Sequence, residues 1–147
     1  MRVVKRRVLF LCVRNSARSQ IAEGLLRSLA GDRFDVASAG LAPGSVRPEA
    51  IAVMREIGID ISGHRSKAAD EYAGQEFDLV VTTCDEAKEA CPLFPGAKRM
   101  LHWSIPDPTA AVGAERMAAF RSVRDEIERR IESDLRGEDV RTGDARG

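Results

Sequence analysis

The sequence predicts an α/β protein built on a four-stranded parallel sheet with helices on both faces. Three observations carry this. Short apolar runs of strand length alternate with stretches whose apolar residues recur every three or four positions. That alternation, strand then helix, runs four times along the chain, the pattern of parallel strands joined by crossover helices. Polar or turn-forming segments follow the strands, which places functional groups at the strands' C-terminal rim. The 147 residues fit one domain, drawn here as 1–136 with a polar, disordered tail at 137–147.

The elements follow in order. Val8-Leu9-Phe10-Leu11 is a continuous apolar run, a strand buried on both faces. The loop Cys12 to Arg18 is polar, and Ser19 to Ala30 carries Ile21, Ala22, Leu25, Leu26 and Leu29 at helical spacing before Gly31 ends it. Phe34 to Ala39 reads as a second strand, closed by Gly40 and the turn Ala42-Pro43-Gly44-Ser45. Pro48 is tolerated near the start of the next helix, whose apolar face is Ile51, Val53, Met54 and Ile57, with Gly58 as its stop. An extended Ile59-Asp60-Ile61 follows, then a weak helix after Ser66. Phe77 to Thr83 is a third buried strand with Cys84 at its end, and Lys98 to Trp103 a fourth. Ile105-Pro106-Asp107-Pro108 must be loop, because neither a helix interior nor a central strand accepts two prolines. Ala114 to Leu135 is a long amphipathic helix with Met117, Phe120, Val123, Ile127 and Ile131 inward.

Composition excludes several classes. Lys plus Arg equals Asp plus Glu at 23 each, so a generic nucleic-acid or membrane-surface binder is not expected. No apolar run approaches the roughly 20 residues that span a bilayer, and Val8 to Val13 is too short for a secretory signal core. Three cysteines without an export signal point to the cytoplasm, where they are buried, catalytic or redox-active rather than a structural framework. Two histidines, His64 and His102, and no Cys-x2-Cys pair give no metal site, and no cofactor is expected.

The chemistry concentrates in Cys12-Val13-Arg14-Asn15-Ser16-Ala17-Arg18-Ser19. A loop between a buried strand and a helix can wrap its N–H groups around a tetrahedral oxyanion, and the helix N-terminus adds partial positive charge. Arg18 supplies a fork for two anion oxygens. The same field favours the thiolate of Cys12, the attacking form, and Ser19 can donate a hydrogen bond to it.

The stretch Cys12 to Glu23 resembles the active-site loop of low-molecular-weight tyrosine phosphatases and of thioredoxin-coupled arsenate reductases. Ser38-Ala39-Gly40, Gly58-Ile59-Asp60-Ile61-Ser62, His102-Trp103 and Asp107-Pro108 also fit that superfamily. The resemblance runs from about Val8 to Leu135 and implies a low-molecular-weight phosphatase-like sheet. Thr82-Thr83-Cys84-Asp85 through Cys91-Pro92 resembles the arsenate reductase branch, which carries cysteines at these two positions, seven residues apart. Thr109-Ala110 follow Asp107-Pro108, where the phosphatase branch typically has aromatic residues.

The resemblance implies a reaction. Cys12 attacks arsenate, Asp107 protonates the departing oxygen, Cys84 attacks the Cys12 sulfur to release arsenite, and Cys91 then takes Cys84 into a disulfide that thioredoxin reduces. A helix from Cys84 to Cys91 would hold the two Cα atoms roughly 10 Å apart, whereas a disulfide needs about 4.4–6.8 Å. Asp85 to Ala90 must therefore unwind or loop out when that bond forms. Some members of the resembled family bind potassium through an Asn, a Glu, a Ser and an Asp. Asn15, Glu23 and Ser38 match, but the Asp position is Lys67, whose ammonium can supply the ion's charge beside Glu23. The expected unit is a monomer. The competing readings are a phosphatase using Cys12, Arg18 and Asp107 alone, and a non-enzymatic anion-binding or redox-sensing module.

Overall fold

A computed structural model describes residues 5–85 and 93–135. Strand β1 runs Arg6–Cys12, helix α1 Arg18–Ala30, β2 Phe34–Gly40 and α2 Pro48–Arg55. A 3-10 turn at Ala69–Tyr72 precedes β3, Leu79–Thr82, and β4, Met100–His102. A second 3-10 turn, Pro108–Ala110, leads into α3, Glu115–Asp134. The four strands lie in the order β2-β1-β3-β4, every pair parallel.

β1 is central because it is apolar on both faces: Val8, Leu9, Phe10 and Leu11 are fully buried. Both faces of the sheet are covered, by unequal means among the described residues. Val8, Phe10, Val36, Leu79 and Val81 pack against the apolar faces of all three α-helices. Leu9, Leu11, Ala39 and Val80 pack instead against Phe77 and Phe94, with Ala69, Tyr72 and Ala97 at the margin. A helix between β3 and β4, which strict alternation requires, would fall on residues 86–92, outside the described residues. So does the tail 137–147. No helix among the described residues is long and apolar enough to cross a membrane.

Three expected elements differ in detail. β3 is shorter than Phe77 to Thr83, because Phe77 makes only an isolated bridge to Ala97 and the Asp78 carboxylate takes the Arg7 N–H at 2.7 Å. β4 is shorter than Lys98 to Trp103, although Lys98 N donates to Phe77 O and Trp103 N to Thr82 O just outside it. The weak helix after Ser66 is the single 3-10 turn. Ile57, expected on the inner face of α2, is 41% exposed, because α2 stops at Arg55 and Gly58 takes φ +82°. Trp103 is core: its ring packs 5.9 Å from Phe10, and its Nε1 donates to Asp134 Oδ2 at the end of α3.

Candidate active site

Cys12 is the last residue of β1, and Arg18 opens α1 five residues after the loop begins. The carbonyls of that loop are pinned outward. Val13 O accepts from Ala42 N, Arg14 O from Gly44 N and Ser66 Oγ, and Ser16 O from Arg47 N. A trans peptide points the next N–H opposite its C=O, so the N–H groups of Arg14, Asn15 and Ala17 face the other way, toward the Cys12 side. The Asn15 N–H confirms this, lying 3.1 Å from Cys12 Sγ. Asn15 sits at φ +54°, the left-handed region that its residue type tolerates. The bend packs directly on the end of β2: a Cβ on Gly40 would lie 2.7 Å from Asn15 N and 2.8 Å from Val13 O. Only glycine fits there.

Behind the loop, a buried network has a fixed direction. Asn15 Oδ1 accepts from the Lys67 backbone N–H at 2.8 Å and from Gln20 Nε2 at 2.9 Å, which sets the amide's orientation. Asn15 Nδ2 therefore donates to Ser38 Oγ at 2.9 Å and to Ser19 Oγ at 2.8 Å. Ser38 passes its own proton to Glu23 Oε1. Ser19, already an acceptor, has its proton free for Cys12 Sγ at 2.8 Å. Cys12 sulfur thus receives two donors, the Ser19 hydroxyl and the Asn15 N–H. The same logic reaches His64. Gln20 Nε2 faces only acceptors, so its Oε1 accepts from His64 Nδ1 at 3.0 Å, and Arg27 Nη1 then donates to His64 Nε2 at 3.3 Å. His64 is neutral in this arrangement. Its burial lowers its pKa and nearby Arg27 and Lys67 add to that, against the opposing pull of Glu23.

In front of the loop lies a cavity of about 290 Å³. Cys12, Val13, Arg14, Ser16, Ala17 and Arg18 line its inner wall, with Arg47, Asp107, Thr109 and Arg116 toward the helix ends. Asn15 and Ser19, grouped with the oxyanion-binding residues from sequence, do not line it; they brace the loop from behind. Arg18 is 5% exposed, and its Nη1 donates to Ile105 O at 3.0 Å, while Nη2 lies 4.0 Å from Asp107 Oδ2. Asp107 Oδ1 accepts from Thr109 N at 2.9 Å and Thr109 Oγ1 at 2.7 Å. Asp107 Oδ2 is the oxygen toward Arg18.

The cysteines divide between neighbouring strands. Leu11 of β1 pairs with Thr82 of β3, and Thr83 N donates to Leu11 O at 2.8 Å, so the chain brings Cys84 to the strand end beside Cys12. Cys84 is fully buried and disulfide-bonded, whereas Cys12 is a free thiol. Cys91 and the segment Glu86–Ala90, where a backbone change is expected, lie outside the described residues. Asn15, Ser38, Glu23 and Lys67 come together: Lys67 Nζ lies 3.9 Å from Glu23 Oε1, while Arg27 Nη2 holds Glu23 Oε2 at 2.7 Å. Burial lowers the Lys67 pKa, against the raising pull of Glu23. Among the described residues no cluster of three or more His, Cys, Asp or Glu side chains could hold a metal ion.

The chain that carries this loop, with its cysteine, arginine and facing aspartate, is matched by a family model. The model for low molecular weight phosphotyrosine protein phosphatases covers residues 7–141. The chain belongs to this family. Within the family it lies with the arsenate reductases. An arsenate reductase of Halalkalibacterium halodurans is 47% identical over 131 residues, covering 88% of this chain and 94% of the relative. A solved arsenate reductase in its phosphate-binding state is 34% identical with a TM-score of 0.76, over 87% of this chain and 95% of that one. A thioredoxin-dependent arsenate reductase of Corynebacterium glutamicum is 30% identical with a TM-score of 0.62, over 88% of this chain and 61% of that one.

Several residues of this phosphatase-family site carry no signal in the sequence. Arg47, Thr109 and Arg116 line the cavity only because the N-terminal ends of α2 and α3 and the Pro108–Ala110 turn converge there. Gln20, an ordinary polar position in α1, is buried and holds Asn15, Arg65 and His64 together. Their placement is tertiary, and no local pattern encodes it.

Proposed function

We propose that the protein reduces arsenate to arsenite through a covalent adduct on Cys12 and a disulfide relay through Cys84 and Cys91, with thioredoxin as final reductant. The observation that carries this is a free Cys12 thiol at an arginine-lined cavity, with a disulfide-bonded Cys84 at the end of the adjacent strand. That state is the one expected once the relay has run and Cys12 has been restored.

The residues divide the work. The inward N–H groups of the loop and Arg18 bind the tetrahedral oxyanion. Ser19 and the Asn15 N–H position the Cys12 sulfur, which attacks arsenic as the thiolate and forms the S–As bond. The departing oxygen leaves as water with a proton from Asp107. That proton is carried on Oδ2, since Oδ1 already accepts two hydrogen bonds from Thr109. Cys84 thiolate then attacks the Cys12 sulfur. The S–As bond breaks, its electron pair stays on arsenic, and As(V) leaves as As(III). Cys91 thiolate displaces Cys12 from Cys84, and an external dithiol reduces the Cys84–Cys91 disulfide. Two electrons pass from that dithiol to arsenic. One chain carries the three cysteines, Arg18 and Asp107, so apart from the external dithiol the working unit is the monomer. The Lys67 ammonium beside Glu23 supplies a fixed positive charge, and turnover is expected to be independent of potassium; a clear potassium requirement would count against this role.

A phosphatase reading needs only Cys12, Arg18 and Asp107, all at the cavity. Its lining favours the reductase, because among the described residues that line the cavity there is no aromatic side chain to grip an aryl ester. The deciding experiment measures arsenite formed from arsenate with thioredoxin, thioredoxin reductase and NADPH. Wild type should turn over. Cys12→Ser, Cys84→Ser and Cys91→Ser should each lose at least about a thousandfold, with Cys84→Ser keeping any aryl phosphatase activity. An inactive wild type that hydrolyses an aryl phosphate would overturn the reductase reading.

A further inference from the structure

The cavity is larger than one oxyanion. Four oxygens at about 30 Å³ per water-sized group fill on the order of 120 Å³, less than half of the roughly 290 Å³ present. Arg47 and Arg116 line the same cavity, and the chemistry at Cys12 does not use them. Both sit against the local field. Arg47 is the N-cap of α2 and Arg116 the second residue of α3, positions where the helix dipole disfavours a cation.

Glu49 brackets the two. Its Oε2 accepts from Arg116 Nε at 2.7 Å, and its Oε1 lies 3.4 Å from Arg47 Nε. Burial is the largest single influence on the Glu49 pKa and raises it, but its own backbone N–H, the Arg116 guanidinium and Arg47 together outweigh that and keep it below the ordinary carboxylate value. One carboxylate between two guanidiniums leaves a net positive charge and unused donors. Arg116 Nη1 is bound to Thr109 O and Ala111 O, but among the described residues Nη2 makes no hydrogen bond. The Arg47 side chain has Glu49 as its one partner among the described residues, and its Nε is buried without a hydrogen bond. The outer pair is also tied to the inner site: Arg116 holds Thr109, Thr109 holds Asp107, and Asp107 faces Arg18.

We infer that Arg47 and Arg116 form a second oxyanion position at the mouth of the Cys12 cavity, so that a ligand with two linked phosphate-type groups binds across both. The inner half of this ligand occupies the anion loop of the proposed function, and the inference rests on that reading. The outer half takes the free Nη groups of the two arginines. Pyrophosphate is the simplest such ligand.

The test reads protection of Cys12 from alkylation by iodoacetamide in the full chain, titrated with inorganic phosphate and with pyrophosphate. Wild type should be half-protected by pyrophosphate at a concentration at least tenfold below that for phosphate. In Arg47→Gln and in the Arg47→Gln/Arg116→Gln double variant this ratio should fall toward one. Arg47→Gln guards against a folding artefact, because Arg47 bonds no backbone through its side chain, whereas Arg116 anchors the Thr109 turn. Pyrophosphate no better than phosphate in wild type, or an undiminished ratio in the double variant, would overturn the inference. Equal protection by a phosphate-free acidic peptide would also overturn it, since the mouth would then be an undiscriminating cationic patch. If neither anion protects at any concentration, the anion-loop reading falls and the inference falls with it.

Discussion

The amide of Asn15 sets the direction of the hydrogen bonds that reach Cys12 sulfur through Ser19, and one substitution can reverse it. In Asn15→Asp the carboxylate has no proton to give, so it would draw the Ser19 proton away from Cys12 sulfur and meet Lys67 N as before. A charge-assisted hydrogen bond is worth about 1.5–3 kcal/mol, so Cys12 alkylation at neutral pH should slow by roughly tenfold or more, read as an iodoacetamide rate. Asp107→Asn keeps an acceptor for Thr109 but has no transferable proton. It should lower arsenate turnover by about a hundredfold or more while anion protection of Cys12 persists. Unchanged turnover would remove Asp107 from the acid role. His64 gives a pH effect on stability. Its folded pKa lies below the ordinary value of 6.5, chiefly through burial. The unfolded chain therefore binds the proton more readily, so the contribution is complete above that value and is lost as pH falls through the folded pKa. Melting temperatures at pH 7.5 and 5.5 should differ more for wild type than for His64→Gln.

At the scale of elements, Gly40 joins β2 to the active loop. A methyl group there meets the backbone of Val13, Arg14 and Asn15, none of which is a flexible side-chain end. Gly40→Ala should cost about 1–3 kcal/mol, the usual range for overpacking, measured by urea unfolding, and should weaken phosphate protection of Cys12 in parallel. Normal stability with intact protection would show that the loop can shift. The elements also mark where the sequence was legible. Cys12 to Arg18 is local, so its place between a buried strand and a helix could be read from the sequence, and Pro106-Asp107-Pro108 could only be loop. The ends of β3 and β4 were not legible, because apolar character at Phe77 looks the same whether the residue joins the ladder or makes a lone bridge. Ile57 has the right helical period but falls after the helix has stopped, since the chain turns at Gly58 rather than at the end of the pattern.

For the whole molecule, the parallel order with β1 and β3 adjacent brings Cys12 and Cys84 to one rim; the sequence predicted the shared rim because both cysteines follow strands of a parallel sheet, but not the strand order. The mouth arginines were not predicted. Their meeting depends on how α2 and α3 pack on the same face of the sheet, through contacts such as Arg124 with Val53 O and Glu56. Redox change is expected at one rim only. Reducing the Cys84 disulfide should alter amide hydrogen exchange at the end of β3 and across Asp85 to Ala90, leaving β1 and the body of α1 as protected as before. Changes spread evenly through the sheet would refute a local switch.

The outward carbonyls of the active loop have a consequence for change over time. Val13 O and Ser16 O are satisfied by the main-chain amides of Ala42 and Arg47, and Arg14 O is shared between an amide and a serine hydroxyl. The cradle is therefore held mostly by backbone, and the side chains at Ala42 and Gly44 contribute little to it. Those positions can drift or be redesigned to meet new ligands without retuning the nucleophile. Proline at either position is the exception, because it removes the backbone donor to Val13 O or Arg14 O.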